Sequence, residues 1–204
     1  MKKSLLVALL ILVVSVSAFA GSISFDTGFG FGFGSEKMKI DSTTSPSQNI
    51  SWTELPINIS YRQEIKDSVG VVGTFGVKIP LSKKINNNSV STDNNPTAFN
   101  FAVKATYELP IQKKLSFVSA LGIDFSYATK TTNSFVFTNT KLGIASDLIV
   151  EYEATKNTSI RGGLNIGIPL FENQKASNSF STVKSTISGF RMSVAPVVGV
   201  AYQF

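Results

Sequence analysis

The sequence contains no cysteine and no histidine. Without cysteine there is no disulfide framework, no thiolate nucleophile and no cysteine to carry a lipid behind a leader. Without histidine the chain lacks the commonest general base at neutral pH and the commonest metal ligand. Charge is sparse as well, at 16% of residues. No dense basic run occurs, which argues against nucleic acid as a partner. Nothing in these shortages leaves room for a cofactor or a metal. Phenylalanine and glycine, at 16 and 15 of 204, are the unusual entries.

Long apolar runs are confined to the start of the chain. Lys2 and Lys3 precede an apolar run from Leu5 to Val14 and the small-residue site Ala18-Phe19-Ala20. This is the pattern of a cleaved secretory signal over residues 1–20, leaving a chain of 21–204. The run of about ten residues falls short of the roughly 20 that a spanning helix needs. Without Lys2 and Lys3, seventeen basic residues face thirteen acidic ones, a net +4.

From Gly21 onward the dominant signal is alternation with a period of two, which points to half-buried strands. Phe190 to Phe204 places Phe190, Met192, Val194, Pro196, Val198, Val200, Tyr202 and Phe204 on one face, with small and polar residues between. Ser22 to Gly34 sets Ile23, Phe25, Phe29, Phe31 and Phe33 against Ser24, Asp26, Gly28, Gly30, Gly32 and Gly34. Six further segments alternate in the same way, centred on Ile57, Phe75, Val103, Ile123, Leu148 and Ile166. The connections expected between the eight alternate in length. Ser35 to Asn49, Ser82 to Thr97, Thr129 to Thr140 and Phe171 to Thr186 read as long loops, while 66–68, 110–114 and 155–158 read as tight turns.

The apolar face is too bulky to point inward. An eight-stranded barrel has an interior only just wide enough to be filled by side chains, and so many Phe, Tyr, Leu and Ile would overpack it. Glycine contributes no packing to a solvent face but suits a crowded interior. The expected arrangement is therefore apolar-outward, an all-β, eight-stranded antiparallel up-and-down transmembrane β-barrel with four long extracellular loops and three short periplasmic turns. Tyr107, Tyr127, Tyr152 and Tyr202 fall near strand ends, where an aromatic girdle is expected.

These features, together with the ending Tyr202-Gln203-Phe204, resemble the small bacterial outer-membrane barrels of the OmpA/OmpX type. The resemblance implies an outer-membrane location with lipid around the barrel. It also implies passage past periplasmic chaperones and the barrel-assembly machinery, for which Tyr202 and Phe204 resemble the C-terminal assembly signal. It carries no single function, because adhesins, pores, stabilisers and enzymes share the architecture.

On the assigned parities the inward charges are Asp26, Glu54, Arg62, Glu64, Lys78, Lys104, Glu108, Asp124, Asp147, Glu151, Glu153, Arg161 and Arg191. They form either an ion-paired plug or the constriction of a narrow passive conduit for small solutes or water. The wall of the first and last strands is bare, lined by Gly28, Gly30, Gly32, Gly34, Ser193, Ala195, Gly199 and Ala201. Either long side chains lean across to it or water lies beside it. Pro196 removes a ladder donor in mid-strand, which predicts a bulge or a lateral opening. Phe135 and Phe137, in the third long loop and off the parity of the strand that follows, are candidates for contact with an extracellular partner. Loop serines such as Ser134 and Ser179 have no evident base beside them, so no catalytic residue is assigned. The expected role is a non-catalytic envelope barrel presenting surface loops for interaction or adhesion.

Overall fold

A computed structural model describes residues 21–91, 96–132, 135–178 and 181–204. The signal segment 1–20, Ser134 and Ser179 lie outside the described residues. The chain forms twelve strands: β1 (Gly21–Gly28), β2 (Gly30–Ile40), β3 (Thr43–Thr44), β4 (Gln48–Lys66), β5 (Val69–Ile85), β6 (Asn88–Val90), β7 (Ala98–Gln112), β8 (Leu115–Thr132), β9 (Phe135–Glu153), β10 (Thr158–Ser177), β11 (Thr182–Ser188) and β12 (Arg191–Gln203). Among the described residues no helix is long and apolar enough to cross a membrane.

All pairings are antiparallel, and they close on themselves. β1 pairs with both β4 and β12, the chain then runs β4–β5–β7–β8–β9–β10 by neighbouring pairs, and β10 returns to β12. A sheet closed in this way has no unpaired edge, and that satisfies the backbone wherever water is excluded. Ser22 pairs with Gln203, so both ends of the described chain lie at the same end of the barrel. The connections 67–68, 113–114 and 154–157 lie at that end too.

Twelve strands appear where the alternation predicts eight. The excess has two causes. β3 and β6 are short hairpin partners of β2 and β5. The first and last segments are each split once, at Phe29 and at Gly189–Phe190. Pro196 explains the first split. Phe29 N–H donates to the Pro196 carbonyl at 3.2 Å, but proline has no N–H to return the bond. The register is the same on either side, with Gly28 opposite Val197 and Phe31 opposite Val194. On its other edge Pro196 lies opposite Leu164 without a shift. The bulge expected at Pro196 is therefore absent. The chain loses one hydrogen bond, towards Phe29, and keeps its pairing. Register shifts occur elsewhere, between Thr53/Glu54, Glu64/Lys66, Pro110/Gln112 and Pro169/Phe171.

The regions read as long loops are also largely strand. β2 continues to Ile40, β5 to Ile85, β8 to Thr132, and β9 begins at Phe135. Beyond the apolar belt both faces of a strand are polar, so the alternation disappears although the ladder continues. Phe135 and Phe137 accordingly belong to β9, not to a loop.

The apolar face points outward. Phe31, Ile59, Phe75, Phe101, Ile123 and Val198 are exposed, while Asp26, Asn58, Thr74, Asn100, Lys104 and Asp147 on the opposite parity are buried. Gly30, Gly32, Gly34 and Gly199 face inward beneath side chains from other strands. Gly32 lies opposite Trp52, and a methyl group on Gly32 would sit 1.9 Å from the indole ring. Gly32→Ala should destabilise the barrel by about 1–3 kcal/mol through overpacking. It would lower the temperature at which the folded electrophoretic band converts to the unfolded one, and change emission from Trp52, the single tryptophan. Gly73→Ala, with no atom within 4 Å of the added carbon, should leave both unchanged. An unaltered Gly32→Ala protein would contradict this packing.

Candidate functional site: the charged lumen

The barrel interior holds a dense constellation of charge of both signs, and it is organised in levels. At the level nearer the termini an alternating chain crosses the lumen. The Asp26 carboxylate on β1 lies 3.0 Å from Arg161 Nε on β10, and Arg161 Nη1 lies 3.4 Å from Glu151 on β9. Glu151 accepts a 3.0 Å bond from Arg62 Nη2 on β4, and Arg62 lies 3.4 Å from Glu108 on β7. β4 and β9 are not neighbours in the sheet, so the Arg62–Glu151 pair spans the interior. One turn of strand further in, Lys104 on β7 pairs with Asp147 on β9, which also accepts a 2.8 Å bond from Asn165. Lys78 on β5 lies 3.7 Å from Asp124 on β8.

A second cluster lies at the far end. Arg191 on β12 pairs with Glu172 on β10. Lys141 lies 3.7 Å from Glu172, and Asn139 donates to it at 2.7 Å. Glu36 on β2 lies 3.9 Å from both Arg191 and Lys83. Glu36, Lys83, Lys141 and Glu172 were placed in or beside loops by the sequence reading and are additions to the site. Bulges hide two of them. Leu81 is skipped in the β4–β5 register, which turns Lys83 inward, and the shift at Pro169/Phe171 turns Glu172 inward. A detectable signal was present all the same: mixed charges recur just beyond the apolar segment of four strands.

Of the residues singled out from sequence, the structure joins Arg62, Lys78, Lys104, Glu108, Asp124, Asp147, Glu151, Arg161 and Arg191 into these pairs. Glu64 and Glu153 are exposed at the terminal end and enter no ion pair among the described residues. The shift between Glu64 and Lys66 lies at that point. Tyr202 and Phe204 are on the outer surface, where Phe204 stacks on Tyr61 with ring centroids 6.4 Å apart. Phe135 and Phe137 sit at the β8–β9 hairpin tip, both exposed, with centroids 6.2 Å apart.

The glycine wall is covered by these side chains. Asp26 Oδ1 lies where a methyl on Gly199 would be, Glu54 Cγ covers Gly30, and Arg191 Cγ covers Gly34. Cavities of about 360 Å³ at the terminal end, about 70 Å³ in the middle and about 140 Å³ at the far end lie along the lumen. Arg62 borders the first and second, and Glu54 and Lys78 border the second and third. The middle cavity has room for a few water molecules. Among the described residues no group of three or more carboxylates is arranged to hold a metal ion.

A closed antiparallel sheet, apolar outside and ionic inside, is the form of an outer-membrane barrel, and comparison with known proteins decides the assignment. The outer membrane protein β-barrel domain model matches residues 6–204. The chain belongs to that family. Its members and structural neighbours are bacterial outer-membrane proteins. OprG from Pseudomonas aeruginosa superimposes with a TM-score of 0.57 at 11% identity, covering 91% of this chain and 97% of that chain. AlkL, solved in lipid bilayers, superimposes with a TM-score of 0.54 at 15% identity, covering 91% of each chain. At these identities the likeness is one of fold. No curated protein matches the chain.

Arg161 is the keystone of the cluster nearer the termini, because among the described residues it alone pairs with both Asp26 and Glu151. Replacing it with Met would leave the buried Asp26 carboxylate uncompensated and Glu151 with Arg62 alone, and breaking such a pair costs about 3–5 kcal/mol. Urea unfolding in bilayers should show that loss for Arg161→Met and a partial recovery in the Arg161→Met/Asp26→Leu double variant. Equal stability of all three proteins would show that the cluster is dispensable.

Proposed function

We propose that this protein is a non-catalytic outer-membrane barrel whose lumen is closed and whose far end is presented at the cell surface. The twelve strands are read as eight staves: β1 continued by β2, β4, β5, β7, β8, β9, β10, and β11 continued by β12. The end carrying the termini and short turns faces the periplasm, as in barrels with short periplasmic connections. The signal segment 1–20 would be removed on export, and Tyr202 and Phe204 would be read by the assembly machinery after delivery by periplasmic chaperones. The observation that carries the closed reading is the pairing of lumen charges at successive levels, by contacts that bridge non-adjacent strands. A passive conduit would need those pairs to part, which exposes unpaired charge in a narrow low-dielectric space.

Chemistry in such a barrel would require a nucleophile with a base beside it. Asp26, Glu108, Asp124, Asp147, Glu151 and Glu172 are instead paired with Arg or Lys, and the sequence has no histidine. The surface supports interaction better. Phe135, Val136 and Phe137 expose apolar area at the β8–β9 tip, away from the membrane, as a contact site for an extracellular ligand would. Envelope support and adhesion are the roles that combine a plugged interior with such a tip.

Planar-bilayer recording tests the closed lumen. The refolded protein should give no reproducible conductance steps at physiological salt. Steps that change amplitude with Glu151→Gln or Arg161→Gln would establish the conduit instead.

A further inference from the structure

Most charges of the lumen are paired, whereas four lysines of the outer wall above the membrane belt are not. The upper border of the outward apolar belt is marked on neighbouring strands by Phe33, Leu142, Phe171 and Phe190, all exposed. Leu142 and Phe171 are direct cross-strand partners, as are Phe33 and Met192. Beyond this border the outward parity carries lysine. Glu36, Glu172 and Ile187 are buried, so the alternation places Lys37, Lys39, Lys175 and Lys184 on the outer face. All four are exposed.

These lysines form one band. Lys175 and Lys184 face each other directly in the β10–β11 register. Lys39 lies opposite Thr186, and Lys37 opposite Ser188, in the β2–β11 register. A shallow outer groove is lined by Lys39, Lys175, Lys184, Asn173 and Thr186, with Asp41 as its one acid. None of the four lysines enters an ion pair among the described residues. Like charges directly opposite on an antiparallel pair are destabilising, so the Lys175–Lys184 arrangement calls for an anion from outside the chain. Lys37 and Lys175 each lie four residues past the belt border, roughly 10 Å above it once the strand rise and tilt are combined. Their flexible stems reach back towards that border.

We propose that this band binds the phosphate-bearing anionic headgroups of outer-leaflet lipid. The headgroup layer is what adjoins the outward face just above an apolar belt, and its phosphate matches four unpaired ammonium groups in charge. The proposal rests on the membrane-spanning reading given above. It adds to that reading a preferred lipid class and a fixed azimuth, because the band covers only the β2–β11–β10 side of the barrel.

The absence of native cysteine allows a single reporter. Thr140→Cys on β9, beside Asn173 in register, would carry a fluorophore in full-length protein held in vesicles of phosphatidylcholine with a minor fraction of phosphatidylglycerol. Either lipid would bear the same nitroxide near the top of its acyl chain. Quenching by the phosphatidylglycerol probe should exceed that by the phosphatidylcholine probe about threefold at low salt, since each surface lysine adds to anion attraction, and the excess should fade at high salt. Lys37→Gln, Lys39→Gln, Lys175→Gln and Lys184→Gln together should abolish the excess while leaving neutral-lipid quenching intact. Equal quenching by the two probes in the parent, or an excess that survives the four substitutions, would overturn the proposal and leave the spanning barrel standing. Absence of quenching by either probe would overturn both.

Discussion

The structure depends on the narrowness of its own interior. A small closed sheet has room inside for side chains and little else, so each long residue that enters must be matched by an absence opposite it. Glycine supplies the absence. Gly30, Gly32, Gly34 and Gly199 leave the wall of β1, β2 and β12 bare, and Glu54, Trp52, Arg191 and Asp26 occupy the space so released. The charge pattern follows from the same constraint. In a space this small a carboxylate has protein, not bulk water, beside it, and Asp26, Asp147, Glu151 and Glu172 each take a cation from another strand. The exterior within the membrane belt is then free to be apolar, because the long charged side chains of that stretch are turned inward.

Alternation made the barrel legible in the sequence, because an apolar residue every second position can be read without any knowledge of pairing. The outward set Phe31, Ile59, Phe75, Phe101 and Ile123 and the inward set Asp26, Arg62, Lys104, Asp147 and Glu151 follow from parity alone. Parity fails in two circumstances, and both occur here. A bulge inverts it, which concealed Lys83 behind Leu81 and Glu172 behind Leu170 and Phe171. It also goes silent where both faces are polar, so the upper parts of β2, β8, β9 and β10 read as loop. The far-end cluster of Glu36, Lys83, Lys141, Glu172 and Arg191 was missed for these reasons, with Arg191 alone recognised. Which acid meets which base was never legible, since pairs such as Arg62–Glu151 join strands that are distant in sequence and not adjacent in the sheet.

Pro196 illustrates the difference between a local rule and its consequence in a closed sheet. A proline in mid-strand lacks one donor, and on an open edge that loss invites a bulge or a gap. In β12 the flanking ladders to β1, β2 and β10 hold the register on both sides. The defect is confined to the carbonyl of Phe29 and appears only as the one-residue break between β1 and β2. The barrel absorbs the irregularity because closure gives β12 a paired neighbour on each side.

In the closed barrel proposed above, one parity of residues meets lipid while the other meets neither lipid nor bulk water. Paramagnetic broadening of assigned NMR signals in lipid nanodiscs tests it directly, using one lipid-soluble and one water-soluble relaxation agent. Phe31, Ile59, Phe101 and Val198 should broaden with the lipid-soluble agent, and Asn58, Lys104 and Asp147 with neither. Broadening of Lys104 and Asp147 by the water-soluble agent would show an open lumen and contradict the account.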